Sequence, residues 1–190
     1  MIHAQNTKWV SVTPPAAIVD NASLTTASID TLGYEYLEVF VYLGATDIAM
    51  TALKLQESDT DSSFADVTGL VYGTSVSIAG TTAALPTATD DNKCFKFEVD
   101  LRGRKRYFDL VATCGDGSTG TFATAFALLS RATDTPVTAA ERGFGNIVRL
   151  PTYCAWNSSQ LGRDSGRVRQ SIRLMGWPTY SSGGGLPSPR

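Results

Sequence analysis

The sequence predicts an all-β protein, an antiparallel sandwich or barrel, on three observations. Apolar residues recur at every second position in several runs, each run is about 6 to 10 residues long, and turn-forming segments separate them. A composition rich in Ala, Ser and Thr, with 17 Gly and 8 Pro, favours short strands and many turns over long helices. A compact domain of 190 residues buries roughly 70% of its unfolded surface, so the fold requires neither disulfides nor metal.

The runs fall in order along the chain. "EYLEVFVYLG" sets Leu37, Val39, Val41 and Leu43 against Glu38, Phe40 and Tyr42. "MTALKLQES" sets Leu53 and Leu55 against Lys54 and Gln56, and "LVYGTSVSIAGT" is a further strand candidate. "KCFKFEVDLR" is the cleanest, with Phe95, Phe97, Val99 and Leu101 on the inner face. "RYFDLVATCG" continues the alternation, and "GTFATAFALLS" groups Phe122, Thr124, Phe126 and Leu128 on one face. Between them lie "GATD", "ESDTDSS", "ATDDNK", "RGRKR" and "CGDGSTG", all rich in turn residues. No convincing amphipathic helix appears, although "TAAERGFGN" can open a short helical turn.

Three parts follow from this: an N-terminal arm over 1–20, a β core over 21–140, and an extended Arg-rich arm over 141–190. Charge divides the same way. Residues 1–141 hold 9 Lys and Arg against 17 Asp and Glu, net −8, whereas residues 142–190 hold seven Arg, no Lys and one Asp, net +6. The arm keeps Phe144, Tyr153, Trp156 and Trp177, anchors that a purely disordered tail would lack. Two roles remain open for it: an attachment element, or a cover for the protein's own sheet edge.

Chemistry is sparse. His3 is the only histidine and sits near the terminus, which removes His-dependent catalysis from the expectation. No G-x-S-x-G, phosphate-binding loop or C-x-x-C is present, and Cys94, Cys114 and Cys154 read as reduced thiols. Glu38 and Glu98, formal candidates for a glycosidase pair, lie in strict alternation on polar strand faces, the ordinary place for a solvated carboxylate. Counted from Asp59, an EF-hand would need Gly at position six and an acid at position twelve; Phe64 and Leu70 stand there. We therefore expect no enzyme, no cofactor and no metal. With no export signal and no run of about eighteen apolar residues, no membrane partner is expected either.

The basic knot Arg102, Arg104, Lys105 and Arg106 admits three readings: a charged turn, a protein contact or a phosphate contact. Its place between two alternating strands favours the turn, and the acidic Glu98, Asp100 and Asp109 around it argue against nucleic acid.

"TALKLQESDTDSSFADVTG" together with the later "FEVDLRGRKRYFDL" resembles a group of small virion proteins of tailed bacteriophages and their prophages. The resemblance covers about Leu37 to Leu129 and carries no catalytic motif. It implies a jelly-roll-like β-sandwich and a head-associated role, as a decoration or cement protein on the capsid exterior, assembled in the host cytoplasm. The implied partners are the major capsid protein and the chain itself, as a homotrimer or a dimer. Arg142, Arg149, Arg163, Arg167, Arg169 and Arg173, with Tyr153, Trp156 and Trp177, are the expected interface residues of the arm, and Arg102, Arg104 and Arg106 those of the core. The alternatives are a neck, tail or fibre component, or a glycan-binding module using Phe40, Tyr42 and Tyr72 as stacking platforms.

Overall fold

The computed structural model describes residues 6–134, 136 and 138–148. Among the described residues, eight strands form two four-stranded antiparallel sheets: β1 (Lys8–Thr13), β2 (Ile29–Asp30), β3 (Tyr36–Thr46), β4 (Ala52–Ser58), β5 (Ala65–Val71), β6 (Cys94–Asp100), β7 (Tyr107–Thr113) and β8 (Thr121–Ser130). The strand order is β1-β8-β3-β6 in one sheet and β2-β7-β4-β5 in the other. First pairs with last, second with seventh, third with sixth and fourth with fifth, the pattern of a long hairpin rolled into two sheets. That is a jelly roll, as the resemblance implied.

The alternation of β3, β4, β6 and β7 puts one continuous core between the sheets. Leu37, Val39, Val41 and Leu43 from β3 meet Leu53 and Leu55 of β4, Phe108, Leu110 and Ala112 of β7, and Phe97 and Val99 of β6. On β8 the inward residues are the small ones. Ala125, Ala127 and Leu129 are buried, opposite Val41, Val39 and Leu37 of β3. Phe122, Thr124, Phe126 and Leu128 lie on the face turned away from the core, although their grouping in the sequence looks like the packing face of the strand. Alanine on a central strand leaves volume for large side chains on its neighbours, so the phenylalanines go outward.

Two segments differ from the sequence expectation. Lys8–Thr13, expected in an N-terminal arm, is the edge strand β1, hydrogen-bonded to β8 and contributing Val12 to the core. The strand candidate at 70–81 is mostly loop. β5 ends at Val71, after a register irregularity opposite Lys54 and Gln56, and Gly69, Gly73 and Gly80 all take positive φ, which ends regular pairing.

The expected short turn at "TAAERGFGN" is present and capped at both ends. Thr138 N–H donates to the Glu141 carboxylate (2.9 Å) while Glu141 N–H donates to Thr138 Oγ1 (3.2 Å), a capping box. Phe144 N–H reaches Ala139 O and Gly143 N–H reaches Ala140 O, with Gly143 at φ 80°, a Schellman ending. The turn is seated on β1: Trp9 N–H donates to Arg142 O (2.9 Å), and a Cβ on Gly143 would collide with the Trp9 carbonyl oxygen. The compact unit therefore runs to Ile147, and the second unit begins at Val148.

Candidate functional site

The core's basic knot folds as a turn and is neutralised within the chain. Arg104 N–H donates to Leu101 O across a turn with Gly103 at φ 75°. Each cation then finds a carboxylate. Arg102 grips Asp100 on β6 with two guanidinium nitrogens; Arg104 bonds both Glu57 oxygens (2.9 and 2.5 Å); Arg106 bonds both Asp30 oxygens (2.8 and 2.7 Å). Lys105 Nζ lies 3.6 Å from Asp59. Because β7 runs between β2 and β4, Arg106 ties its start to β2 while Arg104 ties the preceding loop to the end of β4. Hydrogen bonds from the guanidinium groups hold Glu57 and Asp30 below the usual carboxylate range and bring Asp100 to about 2. Four cations against four carboxylates leave no local positive field of the kind that phosphate recognition uses.

The two sequence motifs that carry the resemblance meet here. Glu57 and Asp59 belong to "LKLQESD" and Arg104 and Lys105 to "DLRGRKRY", and their ion pairs close over more than forty intervening positions. Both motifs therefore act as clamps between strands.

The outward faces of the two sheets differ in kind. On the β2-β7-β4-β5 sheet the outward face is mainly polar and paired: Lys54 and Gln56 bond Asp66 (2.7 and 2.6 Å), and Thr26 donates to Asp109 (2.9 Å), with Tyr107 under Arg106 and Val111 the apolar exceptions on β7. On the β1-β8-β3-β6 sheet a row of aromatic rings crosses the strands. Phe144 packs on Trp9 (centroids 6.0 Å), Trp9 stacks on Phe126 (5.2 Å, 30°), and Phe126 stacks on Phe40 (5.0 Å, 16°). Lys96 Nζ closes the row, 5.2 Å from the Phe40 centroid. Phe40, Phe126 and Lys96 are directly opposite one another in register, which sets the row across the strands. The Lys96 ammonium also bridges Glu38 and Glu98, both at 2.6 Å, which would otherwise face each other as like charges; these carboxylates, Glu38 foremost, raise its pKa. Beyond the row Tyr42 and Phe122 stand in solvent, 42% and 45% exposed.

Rings with centroids 5.0 Å apart and nearly parallel planes must overlap rather than lie side by side, so the faces of Phe40 and Phe126 are occupied by their neighbours. Tyr72 is likewise committed, edge-on to Phe95 and Phe97 with its hydroxyl on the β6 backbone. Of the three aromatics considered as sugar platforms, Tyr42 alone remains uncommitted to such a contact.

Of the arm residues, Arg142 is buried within the compact unit, 6% exposed, and is not a solvent-facing contact. Arg149, Tyr153, Trp156, Arg163, Arg167, Arg169, Arg173 and Trp177 lie outside the described residues. Cys94 (exposed) and Cys114 (buried) are free thiols, and among the described residues no group of three or more His, Cys, Asp or Glu is placed to hold a metal ion.

The sequence reading missed one further cluster. The Asp47 carboxylate accepts the backbone N–H groups of Ser118, Thr119 and Gly120 (2.8, 2.6 and 2.9 Å), which order the β7–β8 loop and hold Asp47 below its ordinary pKa, Thr119 foremost. A Cβ on Gly117 would meet Asp47 Oδ1 at 2.5 Å, so glycine there admits the carboxylate. The only linear signal was the pairing of "GATD" with a Gly-rich "CGDGSTG".

No known family model matches the chain, and no curated protein matches it. Among solved structures it is similar to the SPBc2 prophage-derived protein YomS, with a TM-score of 0.40 and 10% identity over 65% of this chain and 91% of that one. A likeness of that strength bears on neither mechanism nor partner.

Proposed function

We propose that this chain is a structural protein of a tailed-phage virion that binds the outside of the assembled capsid and stabilises it as a cement protein. The observation that carries the reading is the division of its surface. One sheet face is mainly polar and its charges are paired, while the other presents a row of aromatic rings with Tyr42 and Phe122 uncovered, the mark of a molecule that assembles. The clamp of Arg104 on Glu57 agrees, because the motifs that resemble those of small virion proteins serve here to tie strands together.

In this reading the Arg-rich segment after Ile147 is the grip. Arg side chains recognise carboxylates through paired hydrogen bonds, and Tyr153, Trp156 and Trp177 supply apolar anchors. Weak single contacts become tight when one oligomer reaches several capsid subunits, and binding confined to the assembled shell stabilises that shell by mass action. The test is removal. Phage particles lacking the protein should release DNA at lower temperature than complete ones and regain stability when it is added back; unchanged particle stability would refute the cement role.

A further inference from the structure

We infer that the aromatic outer face of the β1-β8-β3-β6 sheet is a self-association surface on which a second copy of this chain seats face to face. The inference stands on the folded unit alone and does not depend on a capsid.

Three observations carry it. The first is the contrast between the outer faces. Where the opposite sheet pairs Lys54 with Asp66 and Thr26 with Asp109, this one displays Trp9, Tyr36, Phe40, Tyr42, Phe122 and Phe126. The second is size. Eight residue steps along β8 span about 27 Å and four strands about 19 Å, a flat area of roughly 500 Å² before the relief of the rings is counted. Stable pairs begin near 600 Å² per partner, which a ring-studded face of this size reaches.

The third observation is charge and shape. The charged groups on this face, Glu38, Lys96 and Glu98 together with Asp100 and its partner Arg102, neutralise one another except for one negative charge, so a second copy meets no strong like-charge field. Phe126 is stacked between Trp9 and Phe40, so these ring faces are covered by one another, which suits apolar packing against another row and not a sugar, which needs open ring faces. A face that meets its own copy closes at two by a two-fold axis, so the expected species is a dimer.

Sedimentation velocity of the full-length chain in reducing buffer tests this; the reductant removes disulfide pairing through the exposed Cys94. The expected result is a species of twice the 20.3 kDa chain mass. Phe122→Glu and Tyr42→Glu should each raise its dissociation constant about tenfold or more, because a two-fold contact meets every substitution twice. Thr68→Asp on the opposite sheet should leave it unchanged. Circular dichroism checks each fold, and Phe122→Ser replaces any Glu variant that does not fold. A wild-type monomer up to about 100 μM, or an oligomer indifferent to both substitutions, would overturn the inference. A monomer whose Phe122→Glu variant loses capsid binding would also overturn it, by giving the face to the capsid. A dimer that binds no capsid would leave the inference intact and refute the cement role.

Discussion

The Tyr72 hydroxyl occupies both backbone groups of Lys96 that face the open edge of β6, donating to its carbonyl oxygen (2.9 Å) and accepting its N–H (3.3 Å). An edge strand with free N–H and C=O groups invites pairing with another chain, and here one side chain blocks the middle of that edge while its ring packs on Phe95 and Phe97. Tyr72→Phe keeps the ring and removes the block. It should cost about 1–2 kcal/mol, a fall in Tm of roughly 3–6 °C, and it should raise aggregation on heating, read by light scattering. An unchanged Tm with unchanged scattering would show that the edge needs no cover.

The clamps at the β6–β7 loop predict an acid transition. Asp30, Glu57 and Asp100 have folded pKa values below their unfolded ones, so the unfolded chain binds more protons in acid. Their contribution is complete above the ordinary carboxylate values of 3.8 and 4.5 and fades as pH falls toward about 2. Tm should be flat from neutral pH to about 5 and decline below 4.5. Arg104→Gln should lower Tm at neutral pH and flatten that decline, because Glu57 then loses the partner that depresses it.

Packing on β8 predicts a steep response to added volume. Ala127 is fully buried opposite Val39, and Ala127→Leu should destabilise by about 1–3 kcal/mol or more through overpacking. Leu129→Ala on the same face should cost about 2–5 kcal/mol through the cavity it leaves. Phe122→Ser on the outer face should change the stability of the isolated chain far less. Urea denaturation separates the three, and a Phe122→Ser cost equal to that of Leu129→Ala would reverse the assignment of the two faces.

Asp47 predicts a local effect. Asp47→Ala leaves three N–H groups without their acceptor, so hydrogen exchange at Ser118, Thr119 and Gly120 should accelerate while β3 and β4 keep their protection. Slow exchange persisting at those three amides would mean that the loop is held by other contacts.

Where the sequence alternates apolar with charged residues, as in "FKFEVD" and "LKLQ", the inward face was legible, because a buried charge is costly and only one register avoids it. In "TFATAFALL" both faces are apolar, so periodicity could not say whether Phe126 or Ala127 turns inward. Partners decided it. β1 escaped notice because its six residues are half polar and its place is set by β8, over a hundred positions away. The aromatic row is drawn from β1, β8, β3 and the turn at Phe144, so no linear motif announces it. The Arg104–Glu57 clamp is equally distant in sequence, which is why the basic knot could be placed in a turn but not matched to its carboxylates.

Attachment to the capsid is tested most directly by sedimentation. The informative truncation point is Ile147 rather than residue 141, where the arm was expected to begin, because Glu141 to Phe144 are part of the capped turn seated on Trp9. Full-length protein and a chain ending at Ile147 would each be sedimented with capsids that lack the protein. The full-length chain should pellet with capsids, and the truncated chain, folded by circular dichroism, should stay in the supernatant. A full-length chain that remains in the supernatant at saturating capsid would contradict attachment.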